Sequence, residues 1–236
     1  MTSTATAGIS TPAAIAAPTA ESRFDRQLSR ILEHAAAVFC ERGYEGASMR
    51  DLSRASGMSL AGLYHYFDSK EKLLYLLQKH TFTRIMERLN ERLEDIANPE
   101  QAIRIFILNH LDYFLAHQDA MKVLAHDAEV LQDEYGREVA GLKRDYYRRC
   151  LDLLQASKQA RGLEFNSRIA VLSLFGMMNW IDTWYNPRSD GDASLLATQM
   201  GDIFLSGLAG RRSKAALKQR SSIAAEKRKK HLRIRF

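Results

Sequence analysis

The chain has 236 residues, of which 46% are apolar and 26% charged, with 13 Gly, 4 Pro and 2 Cys. This composition excludes collagen-like, disulfide-framed and wholly disordered chains, and the length suits one large domain or a small domain joined to a larger one. Cys40 and Cys150 are too few and too far apart to frame a secreted fold, which favours a reducing cytoplasm.

The net charge of +6 is distributed unevenly along the chain. Residues 211–236 contain eleven Lys and Arg side chains against Glu226 alone, so this basic tail carries +10 and the other 210 residues sum to −4. Whether the body of the chain binds nucleic acid must therefore be decided from its motifs. We expect the tail to be solvated or to bind another partner, with sequence-independent attraction to DNA as the alternative.

Residues 1–20 contain no charged side chain and are rich in Ala, Thr, Ser and Pro, which predicts a disordered leader. This leader has neither the basic segment nor the continuous apolar run of a secretory signal. The longest strongly apolar uncharged stretch, Ile169 to Ile181, has thirteen residues, fewer than the roughly 20 that cross a bilayer. We therefore expect a cytoplasmic protein without a membrane anchor.

From Arg23 onward the apolar residues recur with helical spacing, and no sustained two-residue alternation marks a strand. The fold is therefore predicted to be all-α. An N-terminal three-helix domain is expected over residues 21–68 and a larger helical domain over residues 69–210. The predicted helices run from about 23 to 42, 49 to 56, 60 to 67, 70 to 96, 100 to 116, 119 to 131, 134 to 159, 166 to 185 and 191 to 209.

The second and third helices are short and are joined by a tight turn at Gly57, which is the geometry of a helix-turn-helix. Ser48 and Ser59 are the predicted N-caps of these two helices, and Asp51 stands at the capping-box position of the first. A helix-turn-helix presents the start of its second helix to the major groove of DNA.

The side chains of this motif divide into a buried set and an exposed set. Leu52, Ala55, Leu63 and Phe67 are predicted to be buried. Arg50 is the candidate for reading a guanine edge. For Tyr64, a position in the core is the alternative to contact with DNA. The residues predicted to meet DNA from the second helix are Ser59, Leu60, Ala61, Gly62, Tyr64 and His65.

The segment "ILEHAAAVFCERGYEGASMRDLSRASGMSLAGLYHYFDSKEKLL", residues 31–74, resembles the TetR family of one-component transcriptional repressors. The chain departs from the family pattern at Ala61-Gly62, where many members have Gly followed by Ser or Thr. The resemblance implies that Ser48 and Tyr64 touch phosphates, that His65 lies at the edge of the groove, and that Lys70 contacts the DNA backbone from the start of the fourth helix.

The predicted helix at 134–159 carries a basic cluster formed by Lys143, Arg144, Tyr147 and Arg148 within about one and a half turns. Two interpretations are open: a solvated face, or a basic collar at the mouth of a pocket for an anionic ligand. The apolar stripe of the same helix is formed by Tyr135, Val139, Leu142, Tyr146, Cys150 and Leu153.

The following helix contains "LFGMMNWIDTWYNP" and is apolar around most of its circumference, so it must be covered on several sides. Phe175 is a core residue or a ligand contact. Asn179, Trp180 and Trp184 belong to a pocket or to an interface, with both Trp predicted to share a face with Met177. Asn179 is a polar group in apolar surroundings that requires a hydrogen-bond partner.

Residues 134–187 resemble a C-terminal domain found in TetR-like regulators of fatty-acid, steroid and aromatic-acid breakdown, several of which respond to acyl-CoA thioesters. The resemblance implies a long apolar cavity for an acyl group, with Lys143, Arg144 and Arg148 near the CoA phosphates. It also implies a four-helix homodimer interface built from the last two helices, with the small residues Gly176, Ala197, Gly201 and Gly207.

The resulting interpretation is a homodimeric repressor that binds a palindromic operator in double-stranded DNA and is released by an acyl-CoA effector. A TetR-like regulator of an efflux or stress gene, responding to a free lipophilic compound, is the alternative. A helical enzyme is disfavoured, because the chain has no HExxH, no GxSxG, no Gly-rich phosphate loop and no Cys/His metal spacing. No catalytic residue, metal or cofactor is predicted, and His110 and His126 are interpreted as core or surface residues.

Overall fold

The computed structural model describes residues 23–126 and 130–209, so the predicted leader and basic tail lie outside the described residues. Within these two ranges every regular element is a helix, which confirms the all-α prediction. The helices are α1 Arg23–Gly46, α2 Met49–Ser56, α3 Leu60–Tyr66, α4 Lys70–Leu93, α5 Pro99–Ala116, α6 Gln118–His126, α7 Asp133–Arg161, α8 Ser167–Asn179 and α9 Ala193–Ala209, with a 3-10 helix at Trp180–Thr183.

Three predicted helices end at least three residues earlier than expected. The helix predicted over 119–131 ends at His126, and residues 130 and 131 lie outside any helix. The helix predicted over 166–185 ends at Asn179 and continues as the 3-10 helix, which keeps Ile181 fully buried. Apolar spacing over so few residues does not distinguish the two helix types. The helix predicted to reach residue 96 ends at Leu93, and Asp95 adopts a left-handed backbone with φ 59°.

The buried apolar side chains form two clusters that meet along α4. The first cluster joins α1, α2, α3 and the start of α4, and it also includes Val123 of α6 and Val139 of α7. The second fills the space between the rest of α4 and helices α5, α7, α8 and α9. The two halves of the chain are therefore joined through α4, which belongs to both clusters, and through α6, which packs against α1.

Burial inside the N-terminal unit follows the prediction with one exception. Leu52, Leu63 and Phe67 are buried, whereas Ala55 is exposed. The eight-residue α2 directs Leu52 into the core, and Met58 in the following turn packs against this core in place of Ala55. On α7 the predicted apolar stripe differs by one residue, because Leu154 is fully buried and the predicted Leu153 is only partly buried.

Candidate DNA-binding surface and internal cavity

The turn between α2 and α3 is held by local hydrogen bonds. Gly57 has φ 68°, a left-handed conformation that a residue without a side chain adopts at no steric cost. The Met58 N–H donates to the Ser53 carbonyl at 3.2 Å. The Ser59 hydroxyl oxygen accepts from the Gly62 N–H at 3.0 Å and caps α3. These contacts fix the direction in which α3 leaves the turn.

The start of α2 is tied to α1 through Asp51. The Ser48 hydroxyl and backbone N–H both donate to Asp51, at 2.5 Å and 3.0 Å, and the Asp51 N–H donates back to Ser48, so the predicted capping box is confirmed. The hydrogen bonds from Ser48 and the Arg54 guanidinium lower the pKa of Asp51 to about 2. The ionised carboxylate also pairs with Arg42 of α1 at 2.9 Å.

The residues predicted to meet DNA remain accessible on α2 and α3. Tyr64 is 48% exposed, which excludes the core position that its spacing also allowed. Tyr66 takes the structural role instead, since its ring stacks on Phe24 with centroids 5.3 Å apart. Of the predicted set, Leu60 and Gly62 are half-buried, and the exposed members are Ser48, Arg50, Ser59, Ala61, Tyr64 and His65.

Lys70, at the start of α4, makes contacts that the sequence did not reveal. Its Nζ donates to the carbonyl oxygens of Tyr44 at 2.7 Å and Ala47 at 3.0 Å, and it lies 4.2 Å from the centroid of the Tyr44 ring. The ammonium group therefore joins the end of α1 to the start of α4. Since an ammonium has three N–H donors, one remains for an anion such as a DNA phosphate.

Helices α4 and α7 are joined by a polar contact centred on Glu138. The Tyr75 hydroxyl donates to Glu138 at 2.6 Å, and Lys79 pairs with the same carboxylate at 2.7 Å. The Lys79 hydrogen bond lowers the pKa of Glu138, and the reciprocal bond raises the pKa of Lys79. The Tyr75 ring also stacks on Tyr135 at 4.4 Å. We call this group the α4–α7 contact.

A cavity of about 520 Å³ lies inside the larger half, walled by α4, α5, α6, α7 and α8. Of the predicted ligand-binding residues, it brings together Lys143, Arg144, Tyr147, Phe175 and Asn179. The remaining lining, which the sequence did not identify, is mostly apolar and comprises Phe82, Ile85, His110, Met121, Leu124, Ala125, Ala140, Tyr146 and Leu172.

A polar network of the buried His110 and Tyr146 and the exposed Asn179 forms part of the cavity wall. His110 Nε2 lies 3.0 Å from Asn179 Oδ1, and His110 Nδ1 lies 3.2 Å from the Tyr146 hydroxyl oxygen. Burial lowers the pKa of His110 to about 4, so the imidazole is neutral. The predicted need of Asn179 for a partner is therefore met by a histidine 69 residues away in the sequence.

Three of the predicted ligand-binding residues lie outside this cavity. Arg148 is not among the residues that line it, and its guanidinium lies 3.7 Å from the Asp145 carboxylate. Trp180 and Trp184 line a separate open cleft of about 610 Å³ between the end of α8 and α9, together with Met177, as their predicted common face requires. Ile203 of α9 borders the same cleft.

The four small residues predicted for a dimer interface divide into two pairs. Gly176 and Gly207 are exposed, but Ala197 and Gly201 are buried. A Cβ atom at Gly201 would lie 3.3 Å from a guanidinium nitrogen of Arg104, so this glycine allows close packing between α9 and α5 of the same chain. The exposed face of α8 and α9 is instead dominated by large apolar side chains, namely Ile169, Leu172, Trp180, Trp184, Leu195 and Ile203.

Two family profiles match the chain. Residues 31–75 match the profile described as bacterial regulatory proteins of the tetR family, and residues 97–208 match the tetracyclin repressor-like C-terminal domain. No helix in the described ranges is long and apolar enough to span a membrane. Among the same residues, no group of three or more His, Cys, Asp or Glu side chains is placed to hold a metal ion.

Three similar proteins are named as transcriptional or metabolic regulators or were solved with operator DNA. The HTH-type transcriptional repressor NicS of Pseudomonas putida is 26% identical over 180 residues, covering 75% of this chain and 84% of NicS. The fatty acid metabolism regulator protein of Bacillus subtilis is 21% identical over 184 residues, covering 76% and 94%. AibR, whose crystal structure was solved in complex with isovaleryl coenzyme A and operator DNA, is 27% identical in sequence. The two structures superpose with a TM-score of 0.66 over 75% of this chain and 97% of AibR.

Proposed function

Because the chain belongs to the TetR family of transcriptional regulators, we propose that it is a homodimeric repressor released from a palindromic operator by an acyl-CoA thioester. Its relatives are repressors and not enzymes. The observation that carries the effector part of the proposal is the apolar cavity with Lys143 and Arg144 on its wall. AibR, a similar protein, has been solved with an acyl-CoA.

The charges of Lys143 and Arg144 favour a phosphorylated ligand. Both side chains are exposed, and neither forms a salt bridge with any residue in the described ranges. Two neighbouring cations that pair with no carboxylate of the described residues suit the phosphates of coenzyme A. The apolar lining behind them suits the acyl chain, because ligand pockets combine a hydrophobic interior with a few polar groups that fix orientation.

Release of DNA follows from the helices that the cavity shares with the N-terminal unit. Phe82 and Ile85 of α4 line the cavity, and Lys70 at the other end of α4 holds the end of α1. The α4–α7 contact couples this helix to the helix that carries Lys143 and Arg144. An effector that fits only one position of α4 relative to α7 favours the conformation with that position and its placement of the two DNA-binding heads. The shift in population between this conformation and the DNA-binding one is set by the difference in the effector's affinity for them.

The DNA-binding part of the proposal predicts different effects for Arg50→Ala and Lys70→Ala. Loss of a base contact at Arg50 is expected to lower operator affinity by about tenfold and to reduce the preference for operator over random duplex. Loss of the phosphate contact at Lys70 is expected to weaken binding to both duplexes alike and to reduce the salt slope by about one. Fluorescence anisotropy at several salt concentrations, with an operator selected from random duplexes, measures both.

Thermal unfolding of Lys70→Ala provides the control for this experiment, since Lys70 also joins α1 to α4. The variant is compared with wild type at a temperature where both are folded. An unchanged salt slope would remove the phosphate role of Lys70 and leave only its structural one. An unchanged preference for operator over random duplex in Arg50→Ala would show that Arg50 does not read a base.

The effector part predicts that octanoyl-CoA dissociates the operator complex at concentrations at least a hundredfold below those needed for octanoate. The double substitution Lys143→Ala/Arg144→Ala is expected to raise the required octanoyl-CoA concentration at least tenfold, since hydrogen bonds to charged groups contribute about 1.5–3 kcal/mol each. Exposed Arg137 on the same helix lies outside the cavity lining and supplies the matched control, Arg137→Ala. Equal potency of acid and thioester would favour a free lipophilic effector and reduce the basic pair to a solvated face.

A further inference from the structure

The cavity wall contains a polar network that a plain hydrocarbon ligand does not require. His110 is only 2% exposed and lies among the rings of Phe114, Tyr146 and Phe175. Burying the His110 imidazole and the Tyr146 phenol beside an apolar pocket costs free energy unless both are hydrogen-bonded. In small-molecule sites such precisely placed polar groups set ligand orientation and specificity.

The hydrogen-bond geometry fixes where the protons of this network lie. Asn179 Oδ1 can only accept, so His110 Nε2 must carry the proton that it shares with that oxygen. The neutral imidazole then has a bare Nδ1, which accepts from the Tyr146 hydroxyl. The side-chain N–H of His110 and the hydroxyl of Tyr146 are thereby both used inside the protein.

Asn179 is left with unused donors. Its carboxamide nitrogen makes no hydrogen bond to any residue within 23–126 or 130–209, although its oxygen is held by His110. The residue is exposed and its side chain lines the cavity, so the amide N–H groups are oriented by the hydrogen bond to His110 and are accessible to a ligand. A donor held in this way recognises an acceptor oxygen and discriminates against a methylene group at the same position.

We propose that Asn179 donates a hydrogen bond to a carbonyl oxygen of the effector, with His110 and Tyr146 as positioning residues. This inference rests on the proposed function and deepens it, because it names the effector as an acyl thioester whose carbonyl is read inside the cavity. The carbonyl is either that of the thioester itself or an oxo group further along the acyl chain. Both supply the same acceptor chemistry.

The test uses three probes that differ only in carbonyl groups: octanoyl-CoA, 3-oxooctanoyl-CoA and the thioether S-octyl-CoA. Binding to the full-length protein is measured by isothermal titration calorimetry. Asn179→Leu is expected to weaken the carbonyl-bearing probes about tenfold and to change the affinity for the thioether less than twofold, because only one neutral hydrogen bond is lost. A loss shared equally by both carbonyl probes assigns the thioester carbonyl, and a larger loss for the 3-oxo probe assigns the chain oxo group.

A second substitution at the same position protects the test against misfolding. Asn179→Asp keeps the oxygen that accepts from His110 but removes both N–H donors. It is therefore expected to lose the preference for carbonyl probes as Asn179→Leu does. Retention of the wild-type preference in both folded variants would overturn the inference.

The positioning role is tested by Tyr146→Phe, with Tyr185→Phe as the matched control. Tyr185 also loses one hydroxyl hydrogen bond, which it donates to the Gly191 carbonyl at 2.9 Å, but it lies outside the cavity lining. Loss of the Tyr146 hydroxyl frees the His110 ring to turn, so the ratio of carbonyl to thioether affinity is expected to fall about threefold. A purely structural role would move the thermal midpoint without changing this ratio, and that result would contradict the positioning role.

The outcomes for the two proposals are separable. Wild-type protein that binds none of the three CoA probes would overturn the proposed function and this inference together. Wild-type binding with identical probe preferences in Asn179→Leu, Asn179→Asp and wild type would overturn only the inference. Loss of carbonyl preference in both Asn179 variants, with thioether affinity retained, supports it.

Discussion

Replacement of Ile203 by Glu is expected to convert the dimer into monomers and to lower operator affinity at least a hundredfold. Ile203 and Trp180 are each 67% exposed, and they line one apolar cleft between α9 and the end of α8 with its 3-10 continuation. Monomeric proteins rarely expose large contiguous apolar patches, so this cleft is the proposed dimer surface. In a two-fold interface each substitution occurs on both subunits, which buries two unpaired carboxylates.

The effect on DNA binding follows from the loss of bivalency. Each helix-turn-helix reads only a few base pairs. In a dimer, once one DNA-binding head has bound its half-site, the second head binds the other half-site without a further diffusional encounter. Sedimentation equilibrium gives the oligomeric state and anisotropy gives the operator affinity. Thr198→Glu, an exposed substitution on the same helix but outside the apolar cleft, is the matched control. A dimeric Ile203→Glu protein with wild-type operator affinity would show that the interface lies elsewhere.

The second large effect is a loss of stability as the pH falls from about 6.5 to about 4. His110 is fully buried and neutral, and burial lowers its pKa from 6.5 to about 4. Between these two pH values the unfolded chain binds a proton that the folded protein excludes. The contribution of His110 to stability is therefore complete above pH 6.5. As the pH falls below this value, the free energy of unfolding decreases.

The size of the effect is about 3 kcal/mol, since each unit of pKa difference corresponds to about 1.4 kcal/mol. His117 contributes in the same direction, because burial also lowers its pKa. The contribution of His110 is isolated by comparing urea unfolding of wild type and His110→Gln between pH 4 and pH 7. His34→Gln removes an exposed imidazole and serves as the control. A pH dependence of His110→Gln that matches wild type would contradict the assignment.

The fold was predictable from the sequence where its determinants are local. The caps at Ser48 and Ser59 and the turn at Gly57 depend on residues at most a few positions apart, and such contacts leave a readable pattern in the sequence. The end of α8 was not predictable in this way. The 3-10 helix from Trp180 keeps the apolar Ile181 buried, so the residue pattern continues although the hydrogen-bonding changes.

The candidate effector site was predictable only in part, because only some of its residues are close together in the sequence. Lys143 and Arg144 are adjacent on one helix, so their shared location was visible in the sequence. The network around His110 joins side chains 36 and 69 residues apart, and neither partner can be identified without the packing of α5 against α7 and α8. Trp180 follows Asn179 directly but lies at a different cleft, because successive residues of a helix point about 100° apart.

Native mass spectrometry of the full-length protein with its operator duplex tests the central claim most directly. Without effector we expect a complex of one operator duplex with one dimer, or with a whole number of dimers. On addition of octanoyl-CoA this complex is expected to convert into free duplex and a dimer carrying two ligands, whereas octanoate at the same concentration leaves it intact. A complex in which dimer, duplex and octanoyl-CoA persist together, or a dimer that binds no octanoyl-CoA, would contradict release by an acyl-CoA effector.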